Sequence, residues 1–239
     1  MSDKEIAICD NWAELVNILQ SHGAAIVGAA DLGQINPDLR QGLPVGISIA
    51  APISVDIVAG IKNGPTKEYY AEYKRLNQLL VTLGIIAADY IKQHGHTAIP
   101  VSAANAGFDA NTLATRLPHK TVATRAGLGW IGKTALLVTK SFGTAIRLTS
   151  VLTDAAFHPG KPIDASRCGD CRACVEVCPA HAAVGQNWHV GLERSSFFDA
   201  AACRATARAL SAKIGIAESC CGMCVAACPW TQAYIRRGK

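Results

Sequence analysis

Apolar residues along this chain follow a helical period in some stretches and short strand-like runs in others, and the regular alternation stops near residue 160. In residues 11–20, Leu15, Val16, Ile18 and Leu19 mark the buried side of a first helix, with Gly23 placed just past its end. Residues 24–29 and 45–50 are apolar runs and read as short strands. Asn63-Gly64-Pro65 precedes a long helical segment, 66–93, in which Tyr69, Tyr73, Leu76, Leu80, Leu83 and Ala87 recur at helical spacing. His94-Gly95-His96 closes it, with both histidines expected at the surface. Residues 97–101, 136–139 and 144–152 are further strand candidates, and 199–214 reads as a helix carrying Cys203 near its start.

Helices and strands thus alternate through about residue 160. The segment His158-Pro159-Gly160-Lys161-Pro162 is the natural boundary. The pattern predicts an α/β (α+β) N-terminal domain over 1–160 and a bacterial ferredoxin-like module over 161–239, with cluster loops at 164–183 and from 218 onward.

Composition narrows the class. With 239 residues, 50% of them hydrophobic and 17% charged, the chain can bury a core and is not a disordered polymer. The longest apolar stretch, 79–91, is broken by Thr82, Gly84 and Asp89 and falls short of a bilayer span. The start, MSDKEIAICDNW, lacks a basic segment leading into an apolar one, so a cytoplasmic protein is expected, with no membrane partner.

The cysteines carry the chemistry. There are ten, and Cys168, Cys171, Cys174 and Cys178-Pro179 read C-x2-C-x2-C-x3-C-P, the spacing of a bacterial [4Fe–4S] site. Cys221, Cys224 and Cys228-Pro229 form a second run that lacks one cysteine, which Cys203 can supply. In two-cluster proteins the cysteine before the proline ligates the other cluster. That rule gives Cys168, Cys171, Cys174 and Cys228 to one cluster, and Cys178, Cys203, Cys221 and Cys224 to the other. Cys220 adjoins Cys221 and competes for the same iron, while Cys9 reads as a small buried apolar residue. Structural zinc and disulfides are the alternatives: zinc uses C-x2-C pairs but this run is not its usual spacing, and disulfides need an oxidising compartment. The formal charge of +5 falls to about +1 once two clusters of about −2 each are bound, so charge gives no case for nucleic-acid binding.

Gly127-Leu-Gly129-Trp-Ile-Gly132-Lys133-Thr134 satisfies both the G-x4-G-K-[ST] and the G-x-G-x-x-G expressions. A phosphate loop follows a buried strand and opens a helix. Here the preceding stretch looks helical or irregular and the following one looks like a strand, so a nucleotide site is rejected.

Ala126-Gly-Leu-Gly-Trp-Ile-Gly-Lys133, followed by Leu136-Leu137, Gly143, Arg147-Leu148, Leu152-Thr153-Asp154, the double-cluster cysteines and Cys228-Pro229-Trp230, resembles the epoxyqueuosine reductase family. Reductive dehalogenases look like more distant relatives. The resemblance implies a nitroreductase-like, cobalamin-binding N-terminal domain and a cluster module that delivers electrons to cobalt. It further implies that Gly127, Leu128, Gly129, Trp130, Gly132 and Lys133 help hold the corrinoid, with Lys120, Arg125, Lys133 and Arg147 as contacts to its amides or phosphate. Three departures qualify it. The family carries a C-terminal helical-repeat domain that helps grip tRNA, whereas this chain stops just after Trp230, so a short form that does not take tRNA as a partner is expected. Ser102, in Val101-Ser102-Ala103-Ala104-Asn105, stands where the family's proton-donating Asp belongs, with Asp109 nearby as a substitute. Pro118-His119-Lys120 replaces an expected Glu-Arg pair, and His119 is a further candidate proton donor or cobalt-side contact.

Two functions follow. One is an iron–sulfur reductase feeding a bound cobalamin, related to epoxyqueuosine reductase without being one. Its donor would be a ferredoxin or flavodoxin type, and its substrate a small molecule, a nucleoside or the corrinoid of another protein. The other is a ferredoxin-type electron carrier without corrinoid.

Overall fold

The structure, a computed structural model, describes residues 3–102 and 107–238, with side chains from residue 11 onward. The environment of Cys9 and the segment Ala103–Asn105 lie outside the described residues. By compactness the chain forms two units: one from 1–51, 77–128 and 147–163, the other from 52–76, 129–146 and 164–239.

The first unit is built on a mixed α/β arrangement. Helix α1 (Asp3–Ser21) buries Leu15 and Leu19, one turn apart on the same face. It ends where Gly23, at φ 103°, donates to Gln20 O and lets Ala24 reach back to Leu19 O. Strands β1 (Ile26–Asp31) and β2 (Val45–Pro52) pair antiparallel, Ile26 opposite Ala50. The inner strand β2 is buried along nearly its whole length, which is why it reads as a continuous apolar run. Helix α2 (Val55–Gly60) belongs to the second unit, as do the first turns of the long helix α3 (Lys67–Gln93). Strand β3 (Ala98–Val101) follows α3, and α4 (His119–Arg125) comes next. Strands β4 (Trp130–Ile131) and β5 (Leu137–Val138) make a separate antiparallel pair, and β6 (Ile146–Thr153) returns to the main sheet. The sheet order is β1-β2-β6-β3, with β3 and β6 antiparallel. Ala30, Leu32, Val101, Val122 and Leu152 form one core cluster, in which α4 covers the sheet. His96 is not at the surface: it is half-buried, 3.5 Å from Asp154, whose carboxylate also accepts from Thr97 N.

The second unit is assembled from short helices: α5 (Ala173–Glu176), α6 (Arg194–Phe197), α7 (Ala200–Ala212), α8 (Met223–Ala227) and α9 (Pro229–Arg237). Three buried contacts anchor the last of these. Thr231 Oγ1 accepts from Thr144 N at 3.0 Å, Tyr234 donates to Ile53 O at 3.0 Å, and Phe142 meets Tyr234 edge to face. Gly143, at φ 59°, lies so close to Thr231 that a Cβ there would collide with the Thr231 backbone nitrogen. Gly60, ending α2, has open space on the same test.

Gly143→Ala is therefore expected to lower stability by about 2 kcal/mol or more, from overpacking added to an unfavourable φ. Gly60→Ala should leave it unchanged or raise it by up to about 1 kcal/mol. Thermal unfolding of the two variants against the parent decides the matter, and equal midpoints for both would refute the close approach at Thr231.

Candidate iron–sulfur site

The cysteine-bearing segments lie in the second unit. Cys168 N donates to Ser166 Oγ at 3.3 Å, and Cys171 N to Cys168 O at 3.2 Å, which folds the first loop tightly. Helix α5 then carries Cys174, and Cys178 N closes on Val175 O. Helix α8 starts from Gly222 at φ 84°, carries Cys224, and ends at Cys228, whose extended backbone leads into Pro229 at the start of α9. In both runs the last cysteine lies just past the end of a short helix and is followed directly by proline.

Cys168, Cys171, Cys174, Cys224 and Cys228 line one cavity of about 100 Å³, with Gly132, Lys133, Val138 and Trp230 also in its wall. Burial pushes the Cys174 thiol up to about 11, helped by the neighbouring Cys168, Cys228 and Cys171. Burial also raises Cys203, beside Cys178, Cys221 and the Asp199 carboxylate. Cys221 is raised by burial, with Cys178 adding to it. Cys224 is raised most strongly, again by burial first, and faces Cys221 and Cys203 before Cys174 and Cys178. It stands at the border of two groups. The Cys220 backbone is anchored on α7: its N donates to Ser211 Oγ at 2.9 Å, and that hydroxyl donates back to Cys220 O at 2.8 Å. Cys220 is 6% exposed and held by α7.

None of the nine described cysteines is disulfide-bonded. Among the described residues, no three His, Cys, Asp or Glu side chains converge on a point suited to one ion. A tetrahedral zinc site would draw its sulfurs to about 2.3 Å from a single centre. A cubane spreads its four thiolates over separate irons, and a cavity of this size with five thiols in its wall fits that group. Drug-sized ligands occupy about 300–1,000 Å³, so the cavity is too small for a macrocycle.

The residues expected to hold a corrinoid are engaged within their own units. A Cβ on Gly129 would collide with Val138 O, and one on Gly132 would lie 2.8 Å from the Val138 side chain. These glycines let β4 and β5 close on each other. Trp130 is 1% exposed, donates from Nε1 to Cys168 Sγ at 3.4 Å, and meets Trp230 edge to face at 5.4 Å. Lys133 lines the cysteine cavity. In the first unit, Gly127 packs on Lys161 O, Leu128 joins the core, Arg125 donates to Ile163 O at 3.1 Å and Arg147 to Asn77 Oδ1 at 2.7 Å. Lys120 is half-buried on α4. Residues 126–128 thus pack within the first unit, and 129–133 within the second, against β5 and the cysteine cavity. The 126–133 segment also follows helix α4 and leads into strand β5, the reverse of a phosphate loop.

The candidate acids divide by environment. Asp109 is exposed, accepts from Asn111 N and Thr112 Oγ1, and those bonds hold its carboxyl below the usual range, so it is ionised at neutral pH. Ser102 is half-buried after β3. His119 Nδ1 lies 3.1 Å from Ser150 Oγ, and burial followed by the Arg147 guanidinium lowers its pKa to about 4. Its resting form is the neutral imidazole. Sequence spacing alone gave no sign of the Trp130–Cys168 bond, the place of Lys133 or the Ser211 anchor, because each depends on a tertiary approach.

Residues 167–231 match the family described as a 4Fe-4S double cluster binding domain. The chain is 30% identical over 126 residues to the epoxyqueuosine reductase of Pseudomonas aeruginosa, an alignment covering 53% of this chain and 35% of that protein. It spans between 17% and 42% of the length of the curated relatives it matches, which are epoxyqueuosine reductases. In fold it is similar to a reductive dehalogenase whose structure suggests a mechanism for B12-dependent dehalogenation, with TM-score 0.67, 18% identity, and coverage of 90% of this chain and 31% of the other. It is also similar to an epoxyqueuosine reductase bound to an epoxyqueuosine-modified tRNA stem loop, with TM-score 0.60, 20% identity, and coverage of 93% and 65%. These likenesses agree with a mixed α/β chain bearing an iron–sulfur module. Among the described residues, no helix is long and apolar enough to cross a membrane.

Because His119 is lowered in the folded state, the unfolded chain binds more protons between about pH 4 and 6.5. Its contribution is full above pH 6.5 and is lost as pH falls to 4, reaching about 3 kcal/mol in total. Denaturant unfolding of the parent and His119→Asn should show a gap that narrows or inverts across that window. A gap constant from pH 7.5 to 4.5 would exclude a buried neutral imidazole.

Proposed function

We propose that this chain is an iron–sulfur oxidoreductase that passes single electrons through two [4Fe–4S] clusters. Cys168, Cys171, Cys174 and Cys228 hold the first, and Cys178, Cys203, Cys221 and Cys224 the second. The observation that carries the reading is the thiol-lined cavity in which Cys224 and Cys228, from the second C-P run, join three cysteines of the first. When bound, such a cluster supplies reversible one-electron storage. The protein's part is to bury the thiolates, keep water from them and tune them by hydrogen bonds, as Trp130 does at Cys168.

The fold's likeness to a B12-dependent dehalogenase supports a corrinoid as the electron acceptor, with the sheet-bearing part as a nitroreductase-like platform. No corrinoid contact is assigned to residues 126–133, for the packing reasons given above. The donor in this reading is a ferredoxin or flavodoxin type, and the substrate a small molecule, a nucleoside or another protein's corrinoid. Reduction of epoxyqueuosine itself is not proposed. Opening an epoxide needs a proton at the departing oxygen. Asp109 is ionised, His119 is neutral, and the Ser102 hydroxyl is a poor acid. The second reading, an electron carrier without corrinoid, draws support from the engagement of the 126–133 segment with the cluster cavity.

The two readings separate on titrating the anaerobically reconstituted protein with cobalamin. Binding, with loss of the reduced-cluster EPR signal as cobalt is reduced, supports the first. Full clusters with no change in the cobalt bands sink it and leave the carrier.

The ligand sets are tested by iron content. Cys203→Ala should bind about half the parent's iron, and Cys220→Ala about all of it. The reverse pattern would transfer the ligand role to Cys220.

A further inference from the structure

We propose that Lys133 is a buried cation placed to raise the potential of the first cluster, and that with Asp199 beside the second set it directs electrons from the second cluster to the first. The inference rests on the two-cluster reading above.

Lys133 lies in the turn between β4 and β5, where Gly132 N donates to Leu136 O at 2.8 Å and Ala135 N to Gly132 O at 2.9 Å. It is 3% exposed and lines the cavity where Cys168, Cys171, Cys174 and Cys228 meet, with Cys224 of the second set also in the wall. Among the described residues no carboxylate pairs with it. An ammonium buried without counter-charge is strongly unfavourable. Four thiolates on an oxidised cubane core carry about −2, which supplies that counter-charge inside the same cavity. Reduction adds one more negative charge, and a cation in a low-dielectric wall stabilises the reduced state more than the oxidised one. The Trp130 N–H at Cys168 Sγ acts in the same direction.

The second set meets the opposite sign. Asp199 caps α7, its Oδ1 accepting from Ala202 N at 2.9 Å, and Cys203 N donates to Asp199 O at 3.2 Å. A carboxylate therefore stands in the same helical turn as Cys203. Asp199 is exposed and screened, so its effect is smaller than that of Lys133. Arg167, Arg172 and Arg204, and the carboxylates Asp170 and Glu176 of the first loop, also lie within two residues of a ligand, but all five are exposed and screened like Asp199. Lys133 is the buried charge in this comparison. The transfer itself is one electron leaving the second cluster and entering the first, with no bond made and no proton moved; a low-potential donor of ferredoxin or flavodoxin type replenishes the second.

The test is an EPR-monitored redox titration of the reconstituted full chain, with the two signals assigned through Cys178→Ser, which should disturb the second cluster alone. The parent should show the first cluster at the higher potential. Lys133→Met should lower that potential enough to shift its equilibrium with a fixed mediator about tenfold, or about 59 mV for one electron. Lys133→Arg should restore it, and Asp199→Asn, which keeps the helix cap, should raise the second cluster alone. Full iron and sulfide with an unmoved first potential in Lys133→Met would overturn the role of Lys133 while leaving the two-cluster reading intact. A parent whose first cluster sits at or below the second would overturn the direction of flow. A parent that loads no cluster at the first set would overturn both this inference and the reading beneath it.

Discussion

The return of Cys228 to the loop that carries Cys168, Cys171 and Cys174 is the constraint on which the site depends. Three of the four thiols are local, within one tight loop and a single helical turn. The fourth arrives from more than fifty residues away, and its position is set by what grips the start of α9. Thr231 is fully buried and receives the Thr144 N–H, Tyr234 reaches Ile53 O, and Trp230 packs against the edge of Trp130. The segments 52–76 and 129–146 supply these grips, which gives a physical reason for their joining the cysteine-bearing unit. Without them the donor set shrinks from four thiols to three.

Electrostatics makes folding of this unit and loading of metal a single problem. Burial and crowding hold Cys174, Cys203, Cys221 and Cys224 in the thiol form in the bare chain. Iron must displace those protons, so ligation is coupled to proton release and to the packing that brings the sulfurs together. The same crowding that opposes bare thiolates is relieved once the cluster core is present, and a buried Lys133 is tolerable for the same reason. Two hydrogen bonds to Ser211 fix the Cys220 backbone on α7, beside the run that begins at Cys221.

Much of this was legible in the chain. The helical period of 66–93 and the strand-like runs at 24–29 and 45–50 located α3, β1 and β2, because one-sided burial writes itself into spacing. The C-P runs announced the cluster chemistry because the geometry of a cubane constrains local spacing. The interleaving of the two units was not legible. Nothing in the composition of 52–76 or 129–146 says which core they join, since that depends on contacts such as Tyr234 with Ile53 and Thr144 with Thr231. The glycines of 126–133 were ambiguous for a related reason. A glycine signals a close approach without saying what approaches, and at Gly129 it is Val138 O. Asp109 and His119 were both candidate proton donors on residue type alone, but burial leaves His119 neutral and local hydrogen bonds keep Asp109 ionised, which only the folded environment decides.

The central claim is that eight cysteines of this chain hold two cubanes. Mössbauer spectroscopy of the protein reconstituted with ⁵⁷Fe, alongside metal and sulfide analysis, tests it most directly. The account predicts about eight irons and eight sulfides per chain, all in [4Fe–4S] form. Stoichiometric zinc without acid-labile sulfide, or about four irons with the second cysteine set left free, would contradict it.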